Sequence, residues 1–155
     1  MEKSITLISA DNQKIEIDFD SAKKSGLLKE KMLTLKKGEL KLADIKYYIL
    51  KKIVQYLSHY KNKNPKEIQK PTISSNLSDI VDEWDVKYIN ELDLDNVFEL
   101  INAATYMKIQ SLSDLACAKI STYMKDRPTE EIRSMFSTPC DFTEKELKEY
   151  KQLEL

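Results

Sequence analysis

At 155 residues, with 41% apolar and 33% charged side chains, the chain suits a single domain that buries about 70% of its unfolded surface. Its 25 basic and 26 acidic residues nearly cancel, which excludes the electrostatic footprint of a nucleic-acid or anionic-membrane binder, and no apolar run reaches the roughly 18 residues of a membrane span. Two glycines, Gly26 and Gly38, are too few for a phosphate-cradling loop, and one histidine with two cysteines supplies no metal cluster, so neither cofactor nor metal is expected.

In chain order, Ser4 to Ser9 is rich in β-branched and apolar residues and predicts a strand. Asp11-Asn12-Gln13 is a turn, and Lys14 to Asp18 alternates polar and apolar residues, which completes a β-hairpin. Ser21 to Leu35 reads as helix interrupted at Gly26, with Leu27, Leu28, Met32 and Leu33 directed inward. Leu40-Lys41-Leu42 is a short third strand. Asp44 is placed to cap a helix that begins at Ile45, because its carboxylate can accept from free amides of the first turn. That helix carries Ile49, Leu50, Ile53, Val54 and Leu57 on one side and runs to about Tyr60.

From Lys61 to Asp79 the chain holds two prolines, several Asn, Ser and Lys and little apolar content, and reads as a mobile surface loop. Trp84 to Ile89 is a short helix that anchors the chain after it, with Trp84 as a core residue. Leu94, Val97, Phe98, Ile101 and Ala104, then Leu112, Leu115, Ala116, Ile120, Tyr123 and Met124, each follow the three-and-four spacing of an amphipathic helix. Ile132, Met135 and Phe136 form a third, shorter run. Ser111 with Asp114, and Thr143 with Glu146, have the spacing of a capping box. The last helices are too short and polar for a core of their own, so they either cap the preceding helices or hold their apolar residues for a partner. The fold class is α/β with helices dominating.

No catalytic constellation stands out in the sequence. His59 sits among Tyr56, Leu57 and Tyr60 and reads as a half-buried or surface ring, and the abundant carboxylates suit the solvated faces of helices. The N-terminus lacks an apolar signal core, so Cys117 and Cys140 are expected as reduced thiols rather than a disulfide. In that setting the glycosylation sequon at Asn76-Leu77-Ser78 is a chance match.

Several blocks in order then resemble a known family. Ile49 to Tyr56, Trp84-Asp85, Phe98 to Tyr106, Glu130 to Phe136 and Asp141 to Glu144 look like the Skp adaptor family (S-phase kinase-associated proteins). The elongin C branch shares the first domain but stops before the Glu130–Phe136 and Thr143 helices, so these favour the Skp reading. The resemblance implies a BTB/POZ-type domain over 1–125, with a mobile loop at about 61–80, and F-box-binding C-terminal helices over 126–155 packed on it. It also implies a non-catalytic adaptor of SCF-type ubiquitin ligases, in the cytoplasm and nucleus, with F-box proteins and a cullin N-terminal region as partners. No nucleic acid or membrane is expected, and an unpartnered chain is expected to form a weak homodimer.

The family's F-box surface maps onto Cys117, Ile120, Met124, Ile132, Phe136, Thr138 and Asp141. Its cullin surface maps onto Thr105 and Tyr106, with weaker support from Leu27–Leu33. Ile120 and Phe136 suit either the core or an interface, and Tyr106 either an interface or a helix end. Met adapts to varied surfaces and Phe supplies apolar area, which suits a groove for a partner's helices.

The chain also departs from the family pattern. Thr105 stands where Asn is common, and Thr138-Pro139-Cys140 follows Phe136 where an apolar residue is favoured. Pro128-Thr129 reverses the usual order, and lysines replace the acidic insertion across Lys61–Lys70. The Trp-containing tail of longer members is lacking, and Leu147, Tyr150 and Leu153 are expected to replace part of its contact. The competing reading is a BTB-like scaffold that self-associates or serves a non-ligase assembly such as a kinetochore complex.

Overall fold

The computed structural model describes residues 4–35, 37–68, 70, 76–125, 127–135 and 143–153. They divide into two compact units, Met1–Tyr123 and Met124–Leu155. In the first unit, β1 (Ser4–Ile8) and β2 (Lys14–Asp18) form an antiparallel hairpin in which Ile5 faces Ile17 and Leu7 faces Ile15. Asn12 adopts a left-handed φ of 58° at the turn, a conformation its short polar side chain tolerates. The third strand, β3 (Glu39–Lys41), lies parallel to β1 on its other edge, so the described sheet has the order β2-β1-β3. Gly38 has a φ of 66° and directs its carbonyl to the Thr6 amide at 2.8 Å, which aligns β3 with β1. Ile5, Leu7 and Ile17 are buried, the sheet's contribution to the core.

The helical stretch expected over 21–35 with an interruption at Gly26 is two helices, α1 (Phe19–Ala22) and α2 (Gly26–Met32), the latter starting at that glycine. Ser25 breaks them by capping α2: its hydroxyl accepts from the Leu28 amide at 3.3 Å. Leu28 is fully buried, and Leu27 and Met32 are half-buried against the core. Leu33, expected inward, is the C-cap residue of α2 and is 89% exposed.

The next helix, α3 (Tyr47–His59), begins two residues later than expected and is not capped by Asp44. Its Tyr47 amide donates instead to the Asp11 carboxylate of the hairpin turn at 3.0 Å. Ile49, Leu50, Ile53, Tyr56 and Leu57 fill the core from one face, each aliphatic contributing about 1.5–3 kcal/mol by leaving water. Lys52 is buried on the same helix. Its ammonium pairs with Glu91 and lies 5.0 Å from the Tyr88 ring centre, while the Tyr88 hydroxyl donates to the Lys52 carbonyl at 2.6 Å.

After α3 the segment expected to be a surface loop holds a short 3-10 helix, Leu77–Asp79, whose Leu77 is buried. Asn76 of the sequon accepts from the Ser78 amide there. α4 (Glu83–Asn90), α5 (Leu94–Tyr106) and α6 (Gln110–Met124) follow. The Ser111–Asp114 capping box does not form. Helix α6 starts at Gln110, so Ser111 lies inside its first turn, where it accepts the Tyr56 hydroxyl at 3.0 Å.

The second unit holds α7 (Thr129–Met135) and α8 (Glu144–Leu153). Acidic residues in the first turn of α7 and Arg133 in its last complement the helix dipole. The expected capping box does open α8. The Thr143 amide donates to the Glu146 carboxylate at 2.8 Å, and the Glu146 amide donates back to the Thr143 hydroxyl at 3.3 Å.

Candidate functional site

Helix α5 is capped by Asp93, whose carboxylate accepts from the Asn96 amide at 2.9 Å, and it buries Val97, Leu100, Ala103 and Ala104. That register leaves Thr105 and Tyr106 exposed at its end, with Tyr106 53% accessible. Met107 and Ile109 then return to the core, and Lys108 between them turns outward with a φ of 56°. The Thr105 and Ser113 hydroxyls lie 3.5 Å apart. Beside Tyr106 is a cavity of about 280 Å³, whose apolar lining is the buried Ile45, Ile49 and Ala103 and whose polar lining includes Asp44, Glu99 and Asn102. An amphipathic tyrosine next to such a depression suits a partner that offers an apolar side chain and a polar contact together.

The turn is joined to α2. The Ser25 hydroxyl donates to the Met107 carbonyl at 2.6 Å, and the Leu27 amide donates to the same oxygen at 3.1 Å. The Gly26 amide donates to the Lys108 carbonyl at 3.2 Å, and Lys108 pairs with Glu30 at 2.7 Å. Leu33 and Tyr106 are thus both exposed apolar residues of elements tied by these bonds.

Of the residues expected to contact an F-box, Cys117 is exposed as a free thiol on α6, and Ile120, one turn later, is half-buried against the core. Met124 at the end of α6 and Ile132 on α7 are half-buried. Phe136, Thr138 and Asp141 lie outside the described residues.

A buried polar cluster escaped the sequence reading. The Tyr60 hydroxyl donates to Asp85 Oδ2 at 2.6 Å, and Asp85 is 3% exposed with no partner for Oδ1 among the described residues. Burial pushes the Asp85 carboxyl above its ordinary range, and the Tyr60 bond opposes that. His59 stacks on Trp84 with ring centres 3.5 Å apart, which leaves Trp84 half-buried, short of full burial. Burial, with Lys63 nearby, lowers the His59 pKa. The Trp84-Asp85 pair was a visible signal, but its partner Tyr60 is twenty-five residues away. Among the described residues no three His, Cys, Asp or Glu side chains are grouped to hold a metal.

These features define a POZ-type α/β domain followed by a separate helical unit, with exposed residues at helix ends that suit protein docking. Residues 3–62 match the family model for the Skp1 family, tetramerisation domain, and residues 110–152 match that for the Skp1 family, dimerisation domain. The S-phase kinase-associated protein 1 homolog of Tetrahymena thermophila is 44% identical over 143 residues, 92% of this chain and 86% of the relative. The E3 ubiquitin ligase complex SCF subunit sconC of Aspergillus clavatus is 33% identical over 148 residues, 94% of this chain and 92% of the relative. SKP1-like protein 18 of Arabidopsis thaliana is 32% identical over 149 residues, 96% and 92% of the two chains. The chain belongs to the Skp1 family.

Proposed function

We propose that this chain is a non-catalytic adaptor of an SCF-type E3 ubiquitin ligase, working in the cytoplasm and nucleus. It joins an F-box substrate receptor to the N-terminal region of a cullin. The observation that carries this reading is similarity along nearly the whole chain to relatives named as SCF subunits. The mechanism is spatial: holding receptor and scaffold at a set distance and angle raises the effective concentration of the acceptor lysine at the conjugating enzyme. The exposed Thr105 and Tyr106 support a cullin contact, with the depression beside Tyr106 taking an apolar side chain of the partner. Cys117, Ile120 and Met124 recur along α6 and, with Ile132, Phe136, Thr138 and Asp141, correspond to the family's F-box contact.

Calorimetric titration with an F-box helical segment, followed by addition of a cullin N-terminal region and a sizing column, tests the proposal. Binding of the segment and a ternary peak support it. A folded chain that binds no F-box segment overturns it, and F-box binding without the cullin restricts the role to an assembly outside the ligase. Self-association is the second reading, favoured by family models described as dimerisation and tetramerisation domains. Sedimentation of the isolated chain decides it: a stable dimer or tetramer supports self-association, a monomer removes it.

A further inference from the structure

We infer that Gly26 is a positioning residue for the partner surface at Tyr106, acting through Lys108; this rests on the cullin contact proposed above. Glycine is not needed at position 26 for its backbone freedom, because its φ is not in the left-handed region. It is needed for space. A Cβ built there would stand 2.8 Å from the Lys108 Cβ, closer than side-chain carbons approach one another, and a tight 3.2 Å from the Lys108 Cδ. The crowding atom belongs to a residue held with a φ of 56°, between the buried Met107 and Ile109, so it cannot yield without moving the turn.

That turn begins one residue after Tyr106, and its two carbonyls at Met107 and Lys108 accept three bonds from Ser25, Gly26 and Leu27. A side chain at position 26 therefore pushes α2 and the turn apart along the bonds that register them. The displacement is passed to Tyr106 through the main chain, although residue 26 itself need never touch a partner. Gly26 and Lys108 are thus a matched pair, a missing side chain on one element facing an outward-turned lysine on the other.

The experiment titrates a cullin N-terminal region, and separately an F-box helical segment, into the full chain, Gly26→Ala, Lys108→Gly and the double variant. Gly26→Ala is expected to weaken the cullin titration about tenfold, the size of effect produced by displacing one interface anchor. F-box affinity is expected to stay within about twofold, as for distant uncoupled sites. Lys108→Gly removes the crowding Cβ and places glycine at the left-handed position, so the double variant is expected to recover cullin affinity and thermal stability together. A purely local destabilisation would lower both titrations and show no such rescue. Gly26→Ala binding the cullin as the parent does, or a double variant that stays weak or unfolded, overturns the inference. A parent chain that binds no cullin overturns the proposed function instead.

Discussion

Replacing Tyr60 by phenylalanine removes one oxygen from the interior and leaves the ring contacts with Tyr56 and Trp84, at 4.9 and 5.8 Å between centres, in place. The loss falls on Asp85, whose Oδ2 accepts that hydroxyl at 2.6 Å while its Oδ1 has no partner among the described residues. A hydrogen bond to a charged group contributes about 1.5–3 kcal/mol, so Tyr60→Phe should cost about 2 kcal/mol near neutral pH. For a chain of this size that lowers Tm by about 4–8 °C. Asp85→Asn keeps an acceptor for Tyr60 and removes the buried charge, so on that background Tyr60→Phe should cost only about 1 kcal/mol, as for a neutral pair.

The sign of the pH dependence follows from the raised Asp85 carboxyl. A folded-state pKa above 3.8 gives stability that is present below that value and lost as pH rises through the folded pKa. Tyr60 acts mainly on the charged form, so the Tyr60→Phe penalty should shrink in acid, where Asp85 is protonated. Asp82, His59, Lys63 and Tyr60 are the other groups acting on this carboxyl, and the parent measured alongside controls for them. Urea unfolding of the four chains at neutral and acidic pH reads both effects. An unchanged midpoint in Tyr60→Phe, or an equal penalty at both pH values, refutes the reasoning.

Tyr106→Lys should abolish cullin pull-down and leave F-box binding intact, since it changes a half-exposed side chain without emptying the core; loss of both together would mean that the domain had unfolded. Phe136→Ala should cost about 2 kcal/mol or more of F-box affinity by calorimetry, as central aromatic anchors do, and an unchanged affinity in a folded variant removes it from that surface. At Asp18, burial raises the carboxyl, but the Lys61 ammonium and the Ser21 hydroxyl and amide outweigh it and hold the pKa to about 2. Its contribution is therefore present above pH 3.8 and lost as pH falls towards about 2, so Asp18→Asn should flatten the acid limb of a Tm-against-pH curve over that window.

The features legible in the sequence were those set by neighbours in the chain. The hairpin followed from β-branched alternation around a three-residue turn, and the amphipathic faces of α3, α5 and α6 from their spacing. The Thr143–Glu146 box formed because both partners lie within one turn. What stayed hidden depends on distant partners. Asp44 has the right chemistry for a cap, yet Asp11 reaches the Tyr47 amide from thirty-six residues away and the helix starts later. Ser111 is drawn to Tyr56, so its local capping signal was overruled, while Ser25 caps α2 and also donates to a carbonyl eighty-two residues away, at Met107. Leu33 is exposed at the C-cap of α2, a placement that its apolar character does not encode. Resemblance picked out Thr105 and Tyr106, but only the burial of Met107 and Ile109 on either side of Lys108 explains how the turn is held at the surface.

An adaptor without chemistry depends on rigidity, because a surface already held in its binding geometry loses less entropy on association than one that must first be ordered. In this chain that rigidity comes from few bonds. The exposed ion pairs Lys14–Glu39, Lys23–Asp20 and Lys87–Glu83 are solvated at both ends and each contributes little. The ties at Ser25–Met107, Tyr60–Asp85 and Tyr88–Lys52 are buried, and breaking any one strands a polar group away from water. Each of these links residues far apart in sequence: α2 with the turn after α5, and both the middle and the end of α3 with α4 across the segment between them. Substitutions at these ties should therefore weaken partner binding through geometry, and the surface anchors alone do not set the affinity.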